Sequence, residues 1–86
     1  MALYKIIFKP SVAKDLKCLD RSTVPRILTA IEALGKDPFP NSSKKLVGSD
    51  HTYRVRIGDY RVVYIVNRNL REIEVQRVRH RKDVYL

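Results

Sequence analysis

The segment from Thr52 to Val66 constrains the fold of this chain more than any other part of the sequence. Apolar residues alternate with arginines up to Gly58 and Asp59, and a second apolar run follows from Tyr60. A period of two on either side of a two-residue turn predicts an antiparallel β-hairpin. The second arm is apolar on both of its faces, which indicates a strand inside the sheet rather than at its edge.

Counting outward from the turn predicts which residues of the hairpin lie opposite each other. Arg56 then faces Arg61 on one side of the sheet, and Arg54 lies two residues along from Arg56. The other side carries only apolar and tyrosine pairs, which we expect beneath the helices. These pairs are Ile57 with Tyr60, Val55 with Val62, and Tyr53 with Tyr64.

Three arginines in one patch predict an anion-binding site. Like charges placed opposite each other cost from a few tenths to about 1 kcal/mol per pair, so Arg54, Arg56 and Arg61 together favour an anion between them. The alternative is that these arginines only solvate an exposed face. Lysine or glutamate would do that equally well, yet neither occurs between Thr52 and Val66.

The rest of the chain predicts two helices and two more strands. The last strand is interrupted, because Val78 breaks its alternation, and we expect a bulge or a strand end between Val75 and Arg79 that redirects Arg81. The resulting class is α+β with the order βααβββ, two N-terminal helices on one face of a small, largely antiparallel four-stranded sheet, in a single domain over residues 1–86. The predicted elements are a strand at Leu3 to Phe8, a helix over 11–20 capped by Ser11, a helix capped by Ser22 and ended by Gly35, a loop from Lys36 to Asp50, a turn from Asn67 to Leu70, and a strand from Arg71 to Arg79.

The charge balance favours a polyanionic partner. Lys and Arg total 18 against 9 acids, a formal charge of +9, and eight of the nine basic residues after Asp50 are arginines. Arginine can hold a phosphate through two hydrogen bonds, so we expect the phosphate contacts in the second half. The single Cys18 excludes an internal disulfide, and no motif predicts a metal or a cofactor. We expect a cytoplasmic protein without a membrane segment.

The C-terminal segment adds groups that could take part in chemistry. Arg81 could hold developing charge on a phosphate, His80 could exchange a proton near neutral pH, and Tyr85 could exchange a proton or stack on a base. Lys82 adds a further cation that could bind substrate. The alternative is a basic, frayed terminus whose Val84 and Tyr85 pack on the edge of the domain. For His80 a further alternative, which we favour over a catalytic role, is an ordinary surface histidine.

Three stretches of the sequence together resemble the RelE/ParE toxin superfamily. They are LVG at 46–48, YRVRIGDYRVVY at 53–64 and HRKDVY at 80–85. The resemblance extends over nearly the whole chain. It implies a βααβββ fold and a toxin–antitoxin operon, in which RelE-type members cut mRNA in the ribosomal A site and ParE-type members inhibit DNA gyrase.

The resemblance also implies roles for individual residues. Arg61 and Arg81 match arginines that hold the scissile phosphate, and Tyr85 matches a terminal tyrosine that orients the substrate. Arg54 and Arg56 stand where some RelE toxins have lysines that bind RNA and assist proton removal. Arginine stays protonated in proteins, so Arg54 and Arg56 are poor general bases. The candidates for the general base are therefore His80, Tyr85 and a group of the ribosome or substrate.

Three functions are compatible with the resemblance. The first, which Arg61, Arg81 and Tyr85 together favour, is a metal-independent, ribosome-dependent endoribonuclease acting through attack of the ribose 2′-hydroxyl. The second is a gyrase inhibitor, and the third is an inactive basic module that binds antitoxin and DNA. The implied partners are the ribosome, mRNA and a RelB-like antitoxin with an acidic amphipathic segment, with operator DNA contacted only through the antitoxin complex.

Overall fold

The computed structural model describes residues 3–80, so Arg81, Lys82 and Tyr85 lie outside the described residues. Two helices follow the first strand, and four strands follow the helices. The elements are β1 (Lys5–Phe8), α1 (Pro10–Lys17), α2 (Thr23–Leu34), β2 (Ser43–Lys45), β3 (Thr52–Ile57), β4 (Tyr60–Asn67) and β5 (Glu72–His80). Within this part of the chain, neither helix has the length and apolar content needed to cross a membrane.

The strands form one sheet in the order β1-β5-β4-β3-β2. β1 runs parallel to β5, and the other neighbouring strands are antiparallel. The predicted α+β class and the largely antiparallel sheet are confirmed, but the sheet has five strands where the sequence predicted four. The additional strand, β2, lies inside the segment predicted as a loop. Its three residues are too few to establish a period, and only pairing with β3 makes them a strand.

The hairpin of β3 and β4 has the register that its turn predicts. Arg56 lies opposite Arg61, and Ile57 lies opposite Tyr60. Gly58 takes a φ of 59°, the left-handed region that the first residue of a tight two-residue hairpin turn adopts and that glycine tolerates without strain. The remaining apolar pairs also agree with the prediction: Val55 with Val62 and Tyr53 with Tyr64.

Of the two interruptions predicted for the last strand, a bulge or a strand end, the structure has the bulge, and the predicted redirection of Arg81 lies outside the described residues. Tyr64 pairs with Val75 and Val63 pairs with Arg77, so Gln76 is the additional residue on β5. One additional residue reverses the inward and outward alternation of everything that follows it. Val78 therefore points into the core, where it is 2% exposed.

The first helix begins one residue earlier than predicted and ends three residues earlier. Pro10, whose ring favours the first turn of a helix, stands at the start, and Lys9 rather than Ser11 is the N-cap. The Ser11 hydroxyl instead donates to the carbonyl of Gln76 at 3.0 Å. α2 has the expected bounds, although the Ser22 side chain makes no capping hydrogen bond.

The core lies between the two helices and one face of the sheet. Its apolar stripe on α2 contains Ile27, Ile31 and Leu34, and α1 contributes Val12. Truncating a fully buried isoleucine such as Ile27 to alanine costs about 2–5 kcal/mol. The sheet contributes Val55, Val62, Tyr64, Val66, Ile73, Val75 and Val78.

Helix α1 covers the part of β5 that extends beyond β1. The backbone hydrogen bonds between β1 and β5 end where the Lys9 N–H donates to the Val75 carbonyl at 3.0 Å. From there the side chains of α1 take over, with Ser11 bound to the Gln76 carbonyl and Asp15 bound to the Val78 N–H. The helix therefore satisfies backbone groups that would otherwise form an open sheet edge.

Candidate functional site

The arginines of the hairpin line a cleft on the sheet face that points away from the helices. Strand pairing sets Arg56 opposite Arg61 and Arg54 opposite Lys44 of β2. These four cations, together with Ser42, line a cleft of about 370 Å³. The structure thus brings Arg54, Arg56 and Arg61 into one cleft.

The three arginines lie at different depths. Arg61 is only 8% exposed, whereas Arg54 is half-buried and Arg56 is exposed. A guanidinium keeps its proton in proteins, so the charge of Arg61 is fixed in a setting that contains little water. Electrostatic interactions strengthen as water is excluded, so the charge of Arg61 acts in a lower dielectric than the charge of the exposed Arg56.

Two residues of the cleft were not predicted from the sequence. Ser42 and Lys44 belong to the segment that the sequence indicated as a loop. Lys44 enters the site because its strand pairs with β3 directly opposite Arg54. The only signal for it in the sequence is the pair of lysines before Leu46, which by itself does not distinguish a strand from a solvated loop.

Arg79 adds a third arginine to the row formed by Arg56 and Arg61. It lies opposite Arg61 on β5. Its side chain, however, lines a separate cavity of about 430 Å³ at the edge of β5, together with Asp15 and Cys18. Arg79 therefore contributes charge next to the cleft without forming its wall.

His80 lies on the other side of the sheet from the arginine cleft. It pairs with Tyr60 across the strands, and the two rings meet edge to face with centroids 5.2 Å apart. Both residues line the cavity that contains Arg79, next to α1. Within residues 3–80, the structure does not bring His80 together with Arg54, Arg56 and Arg61.

Asp15 fastens α1 to the bulged part of β5. Its carboxylate accepts two hydrogen bonds from the Arg77 guanidinium, at 2.9 and 3.0 Å, and one from the Val78 N–H at 2.9 Å. Burial alone would raise the pKa of Asp15, but these bonds and the positive charges of Arg77 and Arg79 outweigh it and hold the pKa below its ordinary value. The contact fixes β5 just before Arg79 and His80.

Tyr64 anchors the segment that carries Ser42 and Lys44. Its hydroxyl donates to the Pro38 carbonyl at 2.7 Å, and its side chain is fully buried. Burial raises the pKa of Tyr64 to about 12, so the hydroxyl remains a donor at any ordinary pH. The Ser43 hydroxyl holds the same segment by donating to the Pro40 carbonyl at 2.8 Å. One wall of the cleft is thus tied to the core.

No group of three or more His, Cys, Asp or Glu side chains that could hold a metal ion occurs in residues 3–80. The cleft lined by Lys44, Arg54, Arg56 and Arg61 is a cluster of cationic side chains. Such a cluster can bind a phosphodiester and stabilise negative charge that develops on it.

Comparison with known proteins agrees with this architecture. The family model of the ParE toxin of type II toxin–antitoxin systems, parDE, matches residues 6–85. The chain belongs to the RelE/ParE toxin superfamily. The match spans both helices, nearly the whole sheet and most of the C-terminal segment, so the resemblance seen in the sequence is confirmed.

Individual members of the RelE/ParE superfamily are similar over most of their length. The RelE1 protein of Methanocaldococcus jannaschii is 40% identical over 77 residues, which are 86% of this chain and 86% of that protein. Toxin RelE3 of the same organism is 34% identical over 85 residues, 94% of either chain. A crystal structure of the archaeal RelE–RelB complex from Pyrococcus horikoshii OT3 matches with a TM-score of 0.81 and 31% identity, covering 94% of this chain and 97% of that one.

Proposed function

We propose that this member of the RelE/ParE superfamily is a ribosome-dependent endoribonuclease that cuts mRNA in the A site and thereby inhibits translation. The observation that carries the proposal is the cleft in which Arg54, Arg56 and Arg61 meet Lys44. Four cations in one cleft suit an RNA backbone, because its phosphates bind Lys and Arg side chains regardless of sequence.

The proposed reaction is an internal transfer at phosphorus. The ribose 2′-hydroxyl loses its proton and attacks the adjacent phosphorus, and the bond to the 5′-oxygen of the next nucleotide breaks. The products are a 2′,3′-cyclic phosphate and a 5′-hydroxyl, whose oxygen takes up a proton. Arg61, with Arg56 at the rim and Arg81 from the C-terminal segment, stabilises the charge that develops on the phosphate oxygens.

The proton steps are assigned to Tyr85 or to a group of the ribosome or substrate. Arg54 and Arg56 stay protonated and therefore act as binding groups rather than bases. His80 lies on the other side of the sheet, against Tyr60, which argues against direct proton transfer at the cleft. Lys82 and Arg54 complete the substrate-binding set, with roles in holding neighbouring phosphates.

A RelB-like antitoxin is the proposed cellular partner. The Pyrococcus horikoshii relative was solved as a RelE–RelB complex. The +9 charge of this chain complements an acidic amphipathic segment laid over the basic surface. Failure of the product of a neighbouring gene to co-purify with the toxin would count against this partner.

The decisive experiment adds purified protein to a translation reaction and maps mRNA 5′ ends by primer extension. We expect cuts inside codons that depend on ribosomes, and strong loss of cutting in Arg81→Ala and Tyr85→Phe. Cleavage that both variants retain undiminished would contradict the site assignment. Arg21→Ala, an exposed arginine outside the cleft, is the matched control.

Gyrase inhibition is the second candidate, because the family model that matches is the one described for the ParE toxin. A supercoiling assay with the same protein preparation separates the two. Inhibition of supercoiling without mRNA cleavage would replace the proposed function with the second one.

A further inference from the structure

Phe39 lies in an aromatic cluster on the core side of the sheet. Its half-buried ring meets the ring of Tyr53 edge to face, with centroids 4.9 Å apart, and Tyr53 stacks on Tyr64 with centroids 6.0 Å apart. The guanidinium carbon of Arg68, in the turn after β4, lies 4.8 Å from the centroid of the Phe39 ring. The aromatic contact and the cation–π contact both favour one position of the ring.

Hydrogen bonds hold the backbone on either side of Phe39. Before it, the Pro38 carbonyl accepts the hydroxyl of Tyr64 at 2.7 Å. After it, the N–H and the hydroxyl of Ser43 both donate to the Pro40 carbonyl at 2.8 Å. These last two bonds close a turn that leads directly into β2. The position of the Phe39 ring and the position of β2 are therefore linked with little slack between them.

The place of Lys44 in the arginine cleft depends on β2. This strand has three residues and lies at the outer edge of the sheet, where its pairing with β3 sets Lys44 opposite Arg54. So short an edge strand opens readily, because few hydrogen bonds hold it and water reaches them. Phe39 packs on Tyr53, the residue next to Arg54 in β3. The packing of Phe39 thus supplies a tertiary contact that keeps β2 beside β3.

We propose that Phe39 is a positioning residue of the arginine cleft, whose ring holds β2 in place and so keeps Lys44 beside Arg54, where both contact one RNA strand. Phe39 is not among the described residues that line the cleft, so it acts through the backbone of β2. The positioning role rests on the proposed function, because it takes RNA as the ligand of the cleft.

The test measures binding of a fluorescently labelled oligouridylate to the full chain over a series of salt concentrations. Phe39→Ala and Lys44→Ala should each lower the affinity about fivefold at about 0.1 M salt and reduce the magnitude of the salt slope by about 0.7, the contribution of one phosphate contact to a single strand. Phe39→Tyr keeps the ring and should bind as the unmodified chain does.

The double variant separates positioning from an independent effect. If Phe39 acts through Lys44, the chain with both Phe39→Ala and Lys44→Ala should bind within about twofold of Lys44→Ala alone, because residues that share one contact do not have additive effects. Independent effects would multiply to about 25-fold, and that result would overturn the proposal.

Amide hydrogen exchange reports the position of β2 without RNA. The Leu46 N–H, just after β2, donates to the Thr52 carbonyl at 2.9 Å, and the Lys9 N–H at the opposite edge of the sheet donates to the Val75 carbonyl at 3.0 Å. In Phe39→Ala the Leu46 amide should exchange at least about tenfold faster while the Lys9 amide is unchanged. Equal acceleration of both amides would mean a general loosening of the fold and would overturn the positioning role.

Two further variants complete the set. Phe8→Ala removes the other phenylalanine of the chain, which is 46% exposed in β1 at the opposite edge of the sheet, and should change neither RNA affinity nor exchange of the Leu46 amide. If Phe39→Ala does not fold, Phe39→Leu carries the same test with the same directions, because it keeps an apolar side chain but loses the aromatic pair.

The results distinguish a failure of the positioning role from a failure of the proposed function. If Lys44→Ala weakens RNA binding while Phe39→Ala binds as Phe8→Ala does, the positioning role is wrong and the cleft still binds RNA. If Lys44→Ala and Arg61→Ala both leave RNA binding unchanged, the cleft does not hold RNA, and the proposed function fails together with the role assigned to Phe39.

Discussion

The hydrogen bonds of Asp15 make a strong prediction about stability. The Asp15 side chain is 10% exposed and accepts the N–H of Val78, a residue that is 2% exposed. Asp15→Ala leaves that N–H without its acceptor, and a hydrogen bond to a charged group is worth about 1.5–3 kcal/mol. The Arg77 guanidinium, whose side chain is 41% exposed, regains water, so its loss of Asp15 adds little.

We therefore expect Asp15→Ala to lower the free energy of unfolding by about 2 kcal/mol, measured by urea denaturation followed by circular dichroism at pH 7. Asp15→Asn should lower it less, because the amide oxygen can still accept the Val78 N–H. Asp50→Ala, at an exposed position, is the control. A loss within 0.5 kcal/mol of that control, on the order of the usual effect of a surface change, would refute the proposed fastening of α1 to β5.

The same contact gives a direction for the dependence on pH. The pKa of Asp15 is lowered in the folded protein, so its contribution is fully present above the unfolded-state value of about 3.9. It is lost as the pH falls through the lower, folded-state pKa. The difference in stability between the unmodified chain and Asp15→Ala should therefore be constant from pH 5 to 7 and shrink below about pH 4.

Three other substitutions give separate tests. Arg61→Ala should reduce the rate of mRNA cleavage about 10²- to 10³-fold in single-turnover assays, because it removes a charge-stabilising donor from the cleft. Circular dichroism should show that the variant keeps its fold. Activity within threefold of the unmodified chain would contradict that role. Tyr64→Phe should lower the free energy of unfolding by about 1–2 kcal/mol in urea titrations, since the Pro38 carbonyl loses its donor; no change would mean that water replaces the hydroxyl. Lys44→Ala and Arg54→Ala should each reduce the magnitude of the slope of log affinity against log salt concentration by about 0.7 for single-stranded RNA. The affinities are measured by fluorescence anisotropy. An unchanged slope would exclude phosphate contacts at those positions.

The hairpin could be predicted from the sequence almost completely, because its information is local. A two-residue turn with Gly58 at its first position leaves one register, and that register determines that Arg56 meets Arg61. The bulge was also predictable, since Val78 can reach the core only if one additional residue precedes it. In both cases the alternation of apolar side chains carries the signal.

What could not be predicted depends on contacts between distant parts of the chain. β2 has three residues and no period, and it becomes a strand only because β3 offers it a partner. Ser11 has the sequence signature of a cap, yet Pro10 starts the helix and the hydroxyl binds Gln76, 65 residues away.

The two outer strands of the sheet, β1 and β2, bear on how readily one copy of the protein can pair with another. β1 has only four residues and contains Lys5, and β2 has only three residues and contains Lys44 and Lys45. Strands this short and this charged offer a poor template to a strand from another molecule. Pairing of one copy with another along these edges is therefore disfavoured, even though the central strands of the sheet are strongly apolar.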